Sequence, residues 1–280
     1  MGRVFHRGVA GGRESQHRSP IYYSFMPYRS KSQLARVMSE SWVASNGYCL
    51  ACESERLVPT PANTQARDFE CRDCGHPYEL KSSLRPFGIK IVDGAYISMI
   101  RRIESGSVSS FLLLRYSESS MITDLVAIHR SLITREVISQ RKPLSATARR
   151  AGWIGCNILL SGIPPEGRIP LMENGVPVSK ESSRAIFAAT ERLRIQPIRG
   201  RNWSRALLKC LHRLPTSKFT LEDAYRFERE LSILYPENKN IRPKIRQQLQ
   251  VLRDAGLILF EGRGIYRLVY GATATGDALL

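Results

Sequence analysis

At 280 residues, 42% of them hydrophobic, the chain can hold one large or two modest domains with a real core. Its 42 Lys and Arg against 25 Asp and Glu leave a formal charge of +17, an excess that favours an anionic partner, nucleic acid foremost. No run approaches the roughly 18 apolar residues of a membrane span, and the N-terminus lacks an apolar stretch followed by a small-residue cleavage site. A cytoplasmic protein without a membrane partner is therefore expected.

Residues 1–26 are rich in Gly, Arg, Ser and His and show no apolar period, which reads as a disordered basic arm or a start-site artefact. A helix is expected from Ser32, with Leu34, Val37, Met38 and Trp42 on one face and Gly47 as its stop. Next come Cys49-Leu-Ala-Cys52 and Cys71-Arg-Asp-Cys74, a C-x2-C-x18-C-x2-C pattern. Two short loops of this kind fold back on themselves and can present four thiolates to one Zn²⁺. With all four positions filled by protein, such a zinc is structural. Cys156 and Cys210 stand alone and read as packing residues.

The second cysteine pair lies inside ARDFECRDCGHPYELKS (66–82), bracketed by strands expected near 66–70 and 78–82. In a strand, Glu79 and Lys81 point to the same face. If Asp68 stands on the paired antiparallel strand, its carboxylate reaches the same point. Two carboxylates suit a hard cation such as Mg²⁺, and a lysine beside it can orient or deprotonate a water for attack on phosphorus. The cysteine knuckle would then occupy the hairpin loop and fix the register that sets Asp68 opposite Glu79. The competing reading is an exposed ion pair, because an acid-x-Lys triplet arises about once by chance in a chain of this length. Glu237-Asn-Lys239 is such a chance case.

Tyr96, Met99, Ile100 and Ile103 fall at helical spacing, and 109–116 and 121–129 read as strands, the first central because it is apolar on both faces. These elements make an α/β (α+β) domain with a mixed sheet. Residues 140–153 read as a long basic loop holding Arg149, Arg150 and Trp153. An aromatic ring beside cations can stack on a base or embrace a methyl group; alternatively the indole packs into the core. A turn is expected at 173–177 and a linker over 178–200. From Trp203 the pattern becomes three helices and a hairpin, a winged helix. Thr220 and Asp223 have capping-box spacing, Pro243 sits in the third helix's first turn, and Ile245, Leu249 and Leu252 form that helix's buried face. Arg242, Lys244, Arg246, Gln247 and Gln248 cluster at its start, suited to base edges and phosphates. The segment from Arg201 to Val269 is expected to fold by itself, and 271–280 to be a disordered tail.

These motifs, in this order, resemble the DpnI-like methyl-directed restriction endonucleases, the Dam-replacing protein family. The resemblance runs from about Tyr28 to Leu268 and is most specific in QRKPLSATARRAGWIGCNI (140–158), TLEDAYRFE (220–228) and KIRQQLQVLRDAG (244–256). It implies a PD-(D/E)XK nuclease domain with a structural zinc over 27–195, then a DNA-binding winged helix over 196–270. The implied activity is type II, Mg²⁺-dependent cleavage of both strands of double-stranded DNA at GATC containing N6-methyladenine, with both domains reading the site. Asp68, Glu79 and Lys81 fall on the family's catalytic positions, the two carboxylates as magnesium ligands. Cys49, Cys52, Cys71 and Cys74 fall on its zinc positions, and Trp153 on the tryptophan that contacts the adenine methyl groups. The motif's name expects Pro before the aspartate; this chain has Arg67, at a position with no catalytic atom. A monomer in solution is expected. Two rivals remain: a zinc-containing winged-helix regulator that binds DNA without cutting it, and a nuclease indifferent to methylation.

Overall fold

The computed structural model describes residues 30–61, 64–194 and 198–269. The expectations for 1–26 and 271–280 lie outside the described residues. Helix α1 (Lys31–Asn46) starts where the Ser30 side chain accepts the N–H of Gln33 and ends at Gly47. The Gly47 N–H donates to Val43 O, and a Cβ at residue 47 would lie 2.6 Å from that oxygen, so the close approach requires glycine. Strands β1 (Leu57–Pro59), β2 (Phe69–Cys71) and β3 (Pro77–Ser83) form an antiparallel meander. The chain then leaves the sheet through β4 (Lys90–Ala95) and α2 (Tyr96–Ser105) and returns as β5 (Ser110–Tyr116), parallel to β3. A parallel return needs such a crossover.

Strand β6 (Ile122–Ile128) follows β5, and β7 (Ile138–Gln140) and β8 (Gly155–Leu159) flank the long loop. β9 (Arg168–Glu173) and β10 (Val176–Pro177) complete a seven-stranded mixed sheet, ordered β1-β2-β3-β5-β6-β9-β10, with a separate three-stranded sheet β4-β8-β7. β5 is indeed central. Its alternate residues feed two cores: Leu112 and Leu114 pack with Val43 of α1 and with Ile186 and Phe187, while Phe111 and Leu113 pack with Met99 and Ile100 of α2 and Ile91 and Ile158 of the smaller sheet.

The expected linker over 178–200 is instead largely helix, α3 (Lys180–Arg194). Ile186, Phe187, Thr190 and Leu193 recur at helical spacing and are buried, a period masked by the surrounding polar residues. This helix belongs to two cores at once. Ile186 and Phe187 join the large sheet, whereas Ala189 and Leu193 join the C-terminal cluster around Leu207, Ile245 and Leu249. A segment starting at Arg201 therefore lacks Ala189 and Leu193 of this cluster.

The C-terminal part consists of α4 (Ile198–Leu211), β11 (Lys218–Thr220), α5 (Leu221–Tyr225), α6 (Glu228–Leu234), α7 (Ile241–Asp254), β12 (Ile258–Gly262) and β13 (Ile265–Leu268). The expected second helix is split around Phe227, and the hairpin gains a third strand, giving the order β11-β13-β12. The capping box between Thr220 and Asp223 is present, and Ile245, Leu249 and Leu252 are fully buried. Across the junction with the sheet domain, Arg205 donates to Glu136 at 3.0 Å, Arg192 donates to Ala255 O at 3.1 Å, and His212 meets Glu166.

Candidate active site

The sulfurs of Cys49, Cys52, Cys71 and Cys74 all lie within 4.8 Å of one another, with Cys49–Cys74 at 3.7 Å and Cys52–Cys71 at 3.5 Å. Tetrahedral ligation at Zn–S of about 2.3 Å requires sulfurs about 3.8 Å apart, so the four thiols fit zinc. Burial pushes the Cys49 thiol up. Burial also works against ionisation of Cys71, but the N–H groups of Cys74 and Asp73 in the turn outweigh it and hold that thiol down at about 6. A half-prepared thiolate is what a metal-binding turn supplies.

The cluster is tied to the rest of the domain at both knuckles. Arg184 of α3 donates to Cys49 O, Ser54 O, Glu53 and Glu55 around the first. The second forms the turn between β2 and β3. Tyr78, the residue before Glu79, is wholly buried, and its hydroxyl accepts the Leu50 N–H at 2.9 Å and lies 3.4 Å from Cys49 Sγ. One residue of β3 thus faces the cysteines while the next faces the acidic cleft.

The β2–β3 register pairs Phe69 with Tyr78 and Glu70 with Pro77. Asp68, immediately before β2, continues that register opposite Glu79: its N–H donates to Tyr78 O at 2.9 Å, and its Oδ2 accepts the Leu80 N–H at 2.7 Å. Because β2 ends there, no strand among the described residues pairs with β3 beyond Tyr78 on that side. A cleft of about 290 Å³ runs along it, lined by Asp68, Glu79, Lys81 and Ser82 and, from α1, by Arg36, Ser39 and Glu40. Arg36 donates to Glu40 at 2.6 Å, and Ser39 is hydrogen-bonded to Ser82 at 3.2 Å.

Glu79 and Lys81 share a face of β3, and Lys81 Nζ lies 2.8 Å from Glu79 Oε1. The sequence reading missed two further members of this cluster. Asp93 of β4 accepts from Lys81 at 2.7 Å, and Arg102 of α2 donates to Glu79 Oε2 at 3.3 Å. Burial pulls the Lys81 pKa down, but Glu79 and Asp93 outweigh it and hold the ammonium charged. Burial raises the Glu79 carboxyl above its usual range, against the pull of Lys81. At Asp93 the cost of burial is overcome by Lys81 and hydrogen bonds, and the carboxyl is held low. The signal for Asp93 was present in IKIVDGAY, where residue 93 shares the inward parity of Ile91. Nothing local marked Arg102 or the α1 residues.

Trp153 is half-buried at the end of the long loop and belongs to none of the three core clusters among the described residues. The Arg150 guanidinium lies 4.8 Å from its ring centroid, and Arg149 is exposed beside it. On α7, Arg242, Arg246 and Gln247 are exposed and Lys244 is partly so. Arg242 and Arg246 both stack on Tyr225, Arg242 pairs with Glu228 at 2.7 Å, and Lys244 reaches Gln247. Gln248 does not belong with them. It is buried and accepts from the Ser204 hydroxyl, because residue 248 falls on the inward face with Ile245 and Leu249.

A mixed sheet carrying four clustered cysteines, joined through a shared helix to a helix-turn-helix module, is the build of a protein that works on DNA. The family model described as the Dam-replacing family matches residues 24–196, and the Dam-replacing HTH domain matches residues 199–268. The chain belongs to the Dam-replacing family. That membership implies a nuclease, a methyl-dependent restriction endonuclease acting on DNA. No helix among the described residues is long and apolar enough to cross a membrane.

Proposed function

We propose that this protein is a type II endonuclease of the PD-(D/E)XK kind that cuts both strands of double-stranded DNA at GATC sites carrying N6-methyladenine. The observation that carries the reading is Asp68 set opposite Glu79, with Lys81 two residues on, in a cleft between β3 and α1. Asp68 and Glu79 would hold Mg²⁺, whose charge stabilises the negative charge developing on the phosphate. Lys81, two residues from Glu79 on the same face of β3, would orient or deprotonate the attacking water. The four cysteines would hold Zn²⁺ as a scaffold that keeps the β2–β3 turn, and so the carboxylate register, in place. Trp153 would meet the adenine methyl groups, with Arg149 and Arg150 on nearby phosphates. Arg242, Lys244, Arg246 and Gln247 would face a second DNA contact, with phosphate displacing Glu228 from Arg242. A cytoplasmic monomer is the simplest setting for such an enzyme.

The test is digestion of adenine-methylated and unmethylated plasmid, side by side, with and without Mg²⁺. Cleavage of methylated plasmid alone, and only with Mg²⁺, is expected. Tight binding without cleavage under any of these conditions would leave the regulator reading, and equal cleavage of both plasmids would leave a nuclease indifferent to methylation. Glu79→Ala and Lys81→Ala should abolish cutting while binding stays within about a few-fold, and Glu237→Ala should change neither. An active Lys81→Ala enzyme would remove the assignment.

A further inference from the structure

Four side chains close an alternating ring beside the cleft. Lys81 Nζ lies 2.8 Å from Glu79 and 2.7 Å from Asp93, and Arg102 lies 3.3 Å from Glu79 and 3.5 Å from Asp93. We propose that Asp93 is a positioning residue that fixes the Lys81 ammonium for the cleavage step when Glu79 is committed to the metal ion. The proposal rests on the nuclease reading above.

Three observations carry it. Asp93 comes from the other sheet, so its approach to Lys81 is not a by-product of strand neighbours. The β4–β8 pairing passes from Asp93↔Cys156 to Ala95↔Gly155, leaving Gly94 as an extra residue directly after Asp93. Bulges of this type bend a strand and re-aim the adjoining side chains, and they recur beside active sites. Exposure then separates the roles. The Lys81 side chain is 24% exposed and can reach a water or phosphate, while Asp93 at 2% can act only through its neighbours.

The need for a second anchor follows from Glu79, whose two oxygens serve Lys81 and Arg102. An oxygen that ligates a divalent cation has one lone pair fewer for its former partner, and the cation itself repels the ammonium. Asp93 then remains to hold Lys81 in place. If the network only filled buried space, removing one partner would destabilise the fold without affecting turnover.

The experiment measures single-site cleavage by full-length Asp93→Asn enzyme on methylated duplex, with DNA and Mg²⁺ varied separately, alongside melting temperature and zinc content. Expected is a fall in kcat of about a hundredfold, the order that a small misplacement of a reacting group produces. KM for DNA and the Mg²⁺ half-saturation should stay within about threefold, zinc should be retained, and Asp93→Glu should recover part of the loss. Wild-type kcat in folded Asp93→Asn overturns the proposal. So does a loss reversed by added Mg²⁺, which would make Asp93 a metal ligand. If the single variant fails to fold, D93N/R102Q removes one charge of each sign and keeps the cluster neutral; wild-type kcat there also overturns it, and a kcat-only loss supports it. Absence of cleavage by the wild-type enzyme in the same assay would instead mark failure of the nuclease reading, and this proposal would fall with it.

Discussion

Gly155→Ala tests the methyl-reading role of Trp153 without removing the indole. Gly155 is buried at the start of β8, and its φ is not in the left-handed region, so alanine suits the backbone. Its new Cβ would sit 2.9 Å from both Cη2 and Cζ3 of Trp153 and 3.4 Å from Arg141 Cδ. Ordinary contact begins near 3.4 Å, so the outer edge of the indole must move by about 0.5–1 Å, a gap that forfeits a quarter to a half of a dispersion contact. A methyl group transferred to an apolar site is worth about 0.8 kcal/mol. Two methyls in a palindromic site thus give about 1.6 kcal/mol, or about fifteenfold preference through this contact. Displacement should remove about 0.4–0.8 kcal/mol of that, a two- to fourfold drop in preference, whereas Trp153→Ala should remove nearly all of it. The overpacking itself should cost about 1 kcal/mol of stability. The assay is the ratio of cleavage rates on matched methylated and unmethylated GATC duplexes. Preference left after Trp153→Ala belongs to the winged helix. If folded, active Trp153→Ala and Gly155→Ala enzymes both keep the wild-type ratio, the indole is a packing residue and the methyl is read elsewhere.

Purified protein should hold one Zn²⁺ per chain, and Cys71→Ser should lose it along with the thermal stability of the sheet domain, since structural zinc contributes about 10–16 kcal/mol of apparent binding energy to folding; zinc-free protein that is soluble and active would refute this. A fragment from residue 178 to 269 should melt cooperatively while one from 201 to 269 should not, because only the longer one keeps Ala189 and Leu193 in the C-terminal core; equal stability by thermal denaturation would contradict the shared-helix account. The longer fragment should bind DNA with an affinity that falls steeply as salt is raised, and Arg246→Ala should weaken it; salt-insensitive binding would argue for a protein partner.

Local pattern was enough for several elements. The four cysteines announce their own cluster because knuckle geometry is set within four residues. α1, α2, α7, β5 and β6 follow from apolar period, and the Thr220 cap from two side chains three residues apart. The opposition of Asp68 and Glu79 could be read because only a short turn holding Cys71 and Cys74 separates their strands. What sequence could not decide are the contacts made across long stretches of chain. The role of α3 escaped because its polar residues read as a linker until two separate cores claimed opposite ends of its apolar stripe. Gln248 suits a base edge by residue type, yet it lies three residues after Ile245 on the buried face of α7; what the sequence could not supply is its partner there, the Ser204 hydroxyl. Asp93 and Arg102 meet Lys81 and Glu79 because the β4–α2 crossover folds back over the face of β3. A buried carboxylate is tolerable only where cations await it, and those cations are supplied by elements that meet it only in the folded chain.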